Sequence, residues 1–99
     1  MLRLDCPPGQ RLQRTESLRT FFGGAEANVS VLLSQLGVPV RYVTALPDNP
    51  NAQAAIDSLK SFGTDTRFIH RSGERIGIYF TENGNSIRPS KVIYDRAHS

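Results

Sequence analysis

The clearest pattern of apolar positions along the chain begins at Ala25 and has the period of a helix. Apolar residues recur every three or four positions, and Gly37 followed by Pro39 ends the run. The pattern predicts a helix whose apolar stripe is of the kind that packs on a core. This stripe consists of Ala25, Val29, Leu32, Leu33 and Leu36.

A strand and a second helix follow in the pattern. The segment Val40–Leu46 is short, β-branched and aromatic, which favours a buried parallel strand, and Pro47-Asp48-Asn49-Pro50 closes it. Asn51 is placed to cap a helix over Ala52–Phe62, which Gly63 ends. The order helix, strand, helix predicts an α/β domain. The apolar stripe of the second helix consists of Ala52, Ala55, Ile56, Leu59 and Phe62.

Both ends of the chain alternate polar and apolar residues with the period of a strand. A turn signal, Asn83-Gly84, lies between two of these segments. We therefore expect an α/β part at residues 23–66 and a small antiparallel β appendage formed by residues 12–22 and 67–96. A strand that starts at Leu2 with no lead-in also suggests a truncated beginning. The alternating segments are 2–4, 12–14, 17–22, 66–70, 77–81 and 91–96.

Length, composition and charge narrow the possible classes of protein. The 99 residues suffice for one modest domain or part of one, and 38% hydrophobic residues without a low-complexity tract indicate a folded chain. The net charge is +3, and the arginines are scattered singly from Arg3 to Arg96. Arginines scattered in this way are more typical of solvated faces than of a nucleic-acid patch. A small basic RNA-binding domain therefore has only the net positive charge in its favour.

The few cysteines and histidines point to a reducing compartment. Cys6 is the only cysteine, so no internal disulfide is possible, and His70 and His98 lie too far apart in sequence to form a metal cluster with it. The N-terminal segment lacks the apolar core of a signal peptide, and no apolar run is long enough to span a bilayer. We expect a cytoplasmic protein with no membrane contact.

The segment FGGAEANVS, residues 22–30, carries the first candidate chemistry. The glycine spacings of a phosphate loop or a dinucleotide fingerprint are not present. A polyol site is possible, because Gly23 and Gly24 would let a ligand approach the backbone and Asn28 offers both a donor and an acceptor to a hydroxyl. Alternatively the glycines only make a sharp turn, with Glu26 placed favourably against the helix dipole. The residues alone favour this structural interpretation.

A second group of candidates lies in the predicted β appendage. Tyr94 and Arg96 are two residues apart and therefore share one face of a strand, and Tyr79 lies in the strand before them. A guanidinium fork is well matched to a carboxylate. Tyrosine and arginine at a period of two are also common on the solvated side of a half-buried strand, and spacing alone favours that alternative. The register across residues 83–90 is not readable from the sequence.

A longer pattern decides between these alternatives. The segment GGAEANVSVLLSQLGVPVRYVTAL resembles the N-terminal signature of the ribokinase-like (PfkB) carbohydrate kinases, with Asn28, the small Ser30 and Gly37 at the family's intervals. Other segments resemble the 2-keto-3-deoxygluconate kinase branch of that family. The resemblance covers essentially the whole chain. These other segments are MLRLDCPPGQRL, FGTDTRFI, GIYFTENG and RPSKVIYDRAHS.

The resemblance implies the N-terminal part of a doubly wound ribokinase-like fold, with a small antiparallel β lid over a sugar pocket. The implied function is the sugar-binding portion of a cytoplasmic kinase that transfers the γ-phosphoryl of ATP to 2-keto-3-deoxygluconate. A homo-oligomer paired through the lid is also implied. The implied substrate contacts are Gly23, Gly24, Asn28, Tyr79, Tyr94 and Arg96.

Two departures from the family pattern bear on these expectations. Pro47 stands where the family usually has a glycine, so the loop after the first α/β strand is expected to differ. Family members are also much longer, and their C-terminal Gly-Ala-Gly-Asp motif, which supplies the catalytic base and lies near the nucleotide site, is not found before Ser99.

The missing motif limits what this chain is expected to do alone. We expect full-length members to use ATP and Mg²⁺, and the nucleotide site, the metal site and the catalytic residues to lie outside this chain. The chain by itself should then be inactive, and Glu26 and Asp95 should have structural roles. The rival hypothesis is a non-catalytic truncated or dimerising sugar-binding module.

Overall fold

The computed structural model describes residues 1–84 and 89–99. This part of the chain contains two helices and six strands. None of the helices in the described ranges is long and apolar enough to cross a membrane. The elements are β1 Leu2–Asp5, β2 Arg19–Phe22, α1 Ala25–Gln35, β3 Ala45–Leu46, α2 Pro50–Ser61, β4 His70–Arg71, β5 Ile78–Glu82 and β6 Lys91–Asp95.

The strands form two sheets. One has the order β2-β1-β5-β6 and is called the lid sheet below, and the other pairs β3 with β4 in parallel. The elements α1, β3, α2 and β4 follow one another in α/β order, so the predicted fold class is confirmed. The lid sheet is mixed rather than wholly antiparallel, because β1 inserts next to β5 and runs parallel to it.

Several strands are shorter than the alternation predicts. Residues 12–14 form a turn instead of a strand, residues 66–69 form another, and only β3 is a named strand within the predicted strand 40–46. A single bridge between Arg41 and Asp65 adds to it. Alternation shows that a segment could pair, but a strand forms only where another strand supplies the hydrogen-bond partners. The hairpin turn predicted at Asn83-Gly84 runs into residues 85–88, which lie outside the described residues.

The predicted strand at residues 40–46 is also not buried. Its residues alternate between exposed and half-buried positions, and Val43 is 70% exposed. The face that carries Tyr42, Thr44 and Leu46 is half-buried. Because only this face of the segment is covered, it resembles a half-buried strand, whereas a central parallel strand would be buried on both faces.

Helix α1 begins at Ala25 as predicted, but two of its large apolar residues point outward. Val29 and Leu32 are more than half exposed, whereas Ser30 is buried and donates its hydroxyl to the Ala27 carbonyl at 2.7 Å. One turn further on, the Ser34 hydroxyl lies 3.1 Å from that of Thr64. The helix therefore packs partly through small residues, and the predicted stripe is exposed except at Leu33, which is half-buried.

Helix α2 starts two residues earlier than the sequence pattern predicts. The Ala52 N–H donates to Asn49 Oδ1 at 2.9 Å, so Asn49 is the cap and the prediction of Asn51 is wrong. The cause is Pro50, whose fixed φ suits the first helical position and moves the start upstream. The predicted stripe is buried at Ala52, Ala55, Ile56 and Leu59, while Phe62 lies beyond the helix end and is 43% exposed.

A small core joins the two sheets. Leu2 of β1, Ala55 of α2 and Ile76, just before β5, are buried against one another. Apolar residues of both sheets pack around them and are partly buried. These are Leu4, Phe22, Leu46 and Ile78. Burial of these side chains attaches the lid sheet to the α/β part.

A buried carboxylate ties three strands of the lid sheet together. Asp5 accepts a hydrogen bond from the Thr81 hydroxyl at 2.6 Å and one from the Arg19 guanidinium at 2.6 Å. Only 6% of Asp5 is exposed. The Thr81 hydrogen bond, followed by that from Arg19, lowers the pKa of Asp5 below its ordinary value and so keeps the carboxylate charged.

The helix cap can be tested directly. Asn49→Ala should destabilise the fold by about 1 kcal/mol, because it leaves the Ala52 N–H without its acceptor. Asn51→Ala serves as the matched control and should stay within about 0.5 kcal/mol of the wild type, since Asn51 is an exposed residue inside the first turn. Urea unfolding of both variants measures the difference, and a larger loss for Asn51→Ala would contradict the assigned cap.

Candidate functional site

The two glycines of FGGAEAN form the junction between β2 and α1. Gly24 has φ 126° and ψ 151°, a backbone conformation that residues other than glycine rarely adopt. Gly23 exchanges two hydrogen bonds with the start of the chain: its N–H donates to the Met1 carbonyl at 2.9 Å, and the Met1 ammonium donates to the Gly23 carbonyl at 2.8 Å. Gly24 is therefore required by the backbone turn.

Gly23 is required for a different reason, which is a close contact. A methyl group added there would collide with the Tyr79 hydroxyl and would lie 3.8 Å from Asn28 Oδ1. The bare glycine thus leaves room for the phenol of β5 to reach the start of α1. A phenol and a carboxamide, both able to donate and to accept, lie together above this glycine.

The register of the lid sheet aligns the aromatic candidates. Tyr79 lies directly opposite Tyr94, and their ring centroids are 5.9 Å apart. Arg3 lies opposite Tyr79 on its other side, and Phe21 lies opposite Arg3. The four residues form one row across the sheet, with the Arg3 guanidinium 4.5 Å from the centre of the Phe21 ring.

Arg96 extends this face of the lid sheet beyond β6. Its guanidinium carbon lies 4.4 Å from the centre of the Tyr94 ring, a cation–π distance. The structure therefore brings five of the six predicted contacts into one connected set, and Gly24 forms the turn beside them. The five are Gly23, Asn28, Tyr79, Tyr94 and Arg96.

A cavity of about 570 Å³ opens beside this set. Its size is typical of a site for a small molecule. Gly23, Gly24 and Asn28 line it, whereas Tyr79, Tyr94 and Arg96 are not among its lining residues. Tyr79 lies next to Gly23 and Arg96 next to Gly77, which are both lining residues, and Tyr94 contacts Tyr79 and Arg96.

The cavity wall contains polar residues that the sequence patterns did not single out. Tyr42 lines it, and burial, followed by the charge of Glu26, raises the pKa of its phenol, which therefore stays a neutral donor. Arg75 lines it as well and pairs with Asp95 at 3.1 Å. Tyr42 could have been found from the alternation of its strand, but nothing in the sequence marks Arg75. The ion pair with Arg75 agrees with the structural role expected of Asp95.

The loop that departs from the family pattern also borders the cavity. Pro47 is buried and lines it, and Asp48 accepts a hydrogen bond from the Arg71 guanidinium at 3.2 Å. Asn49 then caps α2 as described above. The loop is therefore held by a hydrogen bond and a helix cap.

Comparison with known proteins identifies the family. The profile of the pfkB family of carbohydrate kinases matches residues 2–99. The chain belongs to this family, and the predicted family is confirmed.

Three relatives show how much of a family member the chain represents. A 2-dehydro-3-deoxygalactonokinase of Haloferax volcanii is 37% identical over 97 residues, which are 98% of this chain and 30% of the relative. The crystal structure of a 2-dehydro-3-deoxygluconokinase from Thermotoga maritima matches with a TM-score of 0.98 and 54% identity, over 100% of this chain and 30% of that one. An uncharacterized sugar kinase of Pyrococcus horikoshii, solved in complex with ATP, matches with a TM-score of 0.83 and 25% identity, over 99% of this chain and 33% of that one. The chain thus spans about 30% of the length of the first two relatives.

The contact at Gly23 gives a testable prediction. Gly23→Ala should destabilise the fold by about 1–3 kcal/mol, the usual range for overpacking, because the new methyl group meets the Tyr79 hydroxyl. Adding Tyr79→Phe should recover much of this loss, since the methyl group would then be 3.6 Å from the nearest ring carbon. Urea unfolding of the single and double variants measures the coupling.

Gly24→Ala is the matched control for this experiment. It should also destabilise the fold, but through backbone strain, and no atom lies within 4 Å of the added methyl group. Tyr79→Phe should therefore leave the Gly24→Ala loss unchanged. Equal recovery in both backgrounds would show that the contact at Gly23 is not specific.

Proposed function

We propose that this chain is the N-terminal, sugar-binding portion of a kinase that phosphorylates 2-keto-3-deoxygluconate with ATP. The observation that carries the proposal is the connected set at the lid, which has neutral hydrogen-bonding groups at Asn28 and Tyr79 and a cation at Arg96. Within residues 1–84 and 89–99, no carboxylate pairs with Arg96. An arginine without a carboxylate partner beside polar groups suits a ligand that has a carboxylate at one end and hydroxyls along its length.

The sugar acid would lie along this set. Arg96 would bind the carboxylate, while Asn28 and the Tyr79 hydroxyl would bind sugar hydroxyls. The glycine backbone before α1, which lines the cavity, would let the ligand approach closely. The names of the two relatives that act on 2-dehydro-3-deoxy sugar acids support this class of substrate.

In the proposed reaction the primary hydroxyl of the sugar attacks the γ-phosphorus of ATP. The bond from that phosphorus to the bridging oxygen breaks, ADP leaves, and the hydroxyl proton passes to a carboxylate base. The complex of the Pyrococcus horikoshii relative supports ATP as the donor. This chain's residues would contribute by binding and orienting the sugar acid, so that its hydroxyl is held in line for attack.

No step of this reaction is assigned to a metal or to a catalytic group of this chain. The described residues contain no group of three histidine, cysteine or carboxylate side chains that could hold a metal ion. We propose that the base, the nucleotide site and the Mg²⁺ site belong to the part of the family fold that this chain does not span. A cytoplasmic location is proposed with the function, and a sequence with Cys6 as its single cysteine is compatible with it.

The decisive test compares two substitutions with two sugars. In a chimera of this chain with the part of the Thermotoga maritima relative that it does not cover, Arg96→Ala should weaken transition-state binding of 2-keto-3-deoxygluconate by about 1.5–3 kcal/mol, the scale of a charge-assisted hydrogen bond. Fructose, which has no carboxylate, should be affected far less. Asn28→Ala should harm both sugars. The comparison of kcat/KM for each sugar measures these effects.

The opposite result would remove Arg96 from the site. If Arg96→Ala lowers kcat/KM equally for both sugars and also lowers thermal stability, Arg96 is a structural cation of the lid. Arg67→Ala is the control, because Arg67 is an exposed arginine paired with Asp65 and does not line the cavity. It should leave both sugars unaffected.

We also propose that a second copy of the chain pairs through the lid sheet. The supporting observation is β6, an edge strand on which Val92, Ile93 and Tyr94 are each more than half exposed. An exposed apolar edge strand favours pairing with another chain. This association is also what a dimerising sugar-binding module, the rival function, would require.

Light scattering tests the proposed association. Val92→Glu should shift the wild-type dimer towards monomer, because it places a charge in the paired edge. Leu32→Glu is the matched control, since Leu32 is 56% exposed on α1, away from the lid sheet, and it should leave the mass unchanged. A wild-type chain that stays monomeric over a wide concentration range would refute lid pairing.

A further inference from the structure

Two consecutive carbonyl groups beside Arg96 are held by side chains outside β6. The Arg75 guanidinium donates to the Asp95 carbonyl at 2.6 Å. The Ser99 hydroxyl donates to the carbonyl of Arg96 itself at 2.7 Å, and the Ser99 N–H donates to it at 3.2 Å. The backbone on both sides of the Arg96 Cα is therefore hydrogen-bonded at the point where the strand ends.

Gly77 provides the space in which Arg96 lies. A methyl group at Gly77 would be 3.3 Å from Arg96 Cβ, 3.3 Å from Met1 Cγ and 3.3 Å from Ser99 Oγ. This is tighter than side chains normally allow, so a larger residue would have to push Arg96 or its neighbours away. The glycine lets the base of the arginine side chain rest directly on the backbone before β5.

Ile76 anchors the segment that makes both contacts. It is 4% exposed and packs with Leu2 and Ala55 in the core that joins the two sheets. β6, in contrast, is an edge strand and all five of its residues are exposed. Since β6 is exposed, its own burial cannot hold Arg96 in position. Contacts with residues 75–77, which Ile76 anchors in the core, can do so.

We propose that Arg75-Ile76-Gly77 is a positioning segment that holds Arg96 for the substrate carboxylate. Ile76 anchors this segment in the core. Gly77 leaves the space for Arg96 and is called the seat below, and Arg75 holds the backbone of β6 by its hydrogen bond and is called the clamp. The inference rests on the proposed function, because it takes Arg96 as the contact to the sugar acid. It adds that discrimination between acid and neutral sugars depends on a residue that need not touch the carboxylate.

The two contacts of Arg75 differ in what they contribute. Its ion pair with the Asp95 carboxylate, at 3.1 Å, joins side chains that are 36% and 54% exposed, and pairs in water at the surface contribute little. Its bond to the Asp95 carbonyl is charge-assisted and acts on the backbone. Removing the carboxylate alone should therefore leave Arg96 in place, whereas removing the guanidinium should release it.

The experiment uses the 99-residue chain and nuclear magnetic resonance. Backbone relaxation measures the order parameter of the Arg96 amide, and titrations measure the affinities for 2-keto-3-deoxygluconate and for fructose. The clamp is tested by Arg75→Ala and Asp95→Asn, and the seat by Gly77→Ala. The double variant Arg75→Ala/Arg96→Ala shows whether Arg75 acts through Arg96, and Arg67→Ala is the control for loss of an exposed arginine.

Positioning predicts a specific set of results. Arg75→Ala should lower the order parameter of Arg96 and weaken binding of the sugar acid by up to about tenfold, the scale of one net hydrogen bond, with fructose unchanged. Asp95→Asn and Arg67→Ala should resemble the wild type. In the Arg96→Ala background, Arg75→Ala should cause no additional loss. Gly77→Ala should weaken acid binding even when the chain remains folded by circular dichroism.

The failures of the two proposals are distinguishable. If Arg96→Ala itself does not weaken acid binding, the proposed role of Arg96 in the function is wrong, and the relaxation data still show whether Arg75 orders it. If Arg96→Ala weakens acid binding but Arg75→Ala leaves both the affinity and the Arg96 order parameter unchanged, the positioning proposal is overturned. Equal losses from Arg75→Ala with and without Arg96 would also overturn it, because Arg75 would then act independently.

Discussion

The structure depends on the packing of Leu2, Ala55 and Ile76, which joins the lid sheet to the α/β part. Each of the three residues comes from a different segment, and no other buried apolar cluster is seen among the described residues. The candidate site lies where the two parts meet: Gly23 and Asn28 are at the start of α1, while Tyr79 and Tyr94 are on the lid sheet. A change in this packing would move one half of the site relative to the other.

Glycines determine how closely the two halves approach. Gly23 leaves room for the Tyr79 hydroxyl, and Gly77 leaves room for the base of Arg96. At both positions, a methyl group in place of the glycine hydrogen would push a polar side chain away from the backbone beside the cavity. Gly24 has a different role, since its positive φ is required by the turn itself. The site therefore combines conformational and steric uses of glycine within a few residues.

Apolar exposure is large outside the core. Val29 and Leu32 on α1, Leu36 just after it and Val43 in the strand region are all more than half exposed. Where such residues form a contiguous patch, they usually mark a surface that another chain or segment covers. This exposure is in keeping with a chain that spans about 30% of the length of its relatives, and the same residues are the ones whose burial the periodicity predicted.

The sequence by itself determined the features that depend on local chemistry. Helical periodicity located α1 and α2, and the pattern from Gly23 to Leu46 identified the family, because glycine and apolar spacings act over a few residues. Whether the predicted substrate contacts bind a sugar acid remains a prediction, but the sequence named the residues that the structure brings together.

Only the tertiary structure decided which segments pair and which faces are covered. The parallel pairing of β1 with β5 joins residues far apart in the chain, and it places Arg3 beside Tyr79. Asn49 rather than Asn51 caps α2, a difference of two residues that propensity does not resolve. The role of Arg75 follows from a contact with Asp95, twenty residues away. Such contacts depend on how the chain is folded in space, and no local pattern of residue types encodes them.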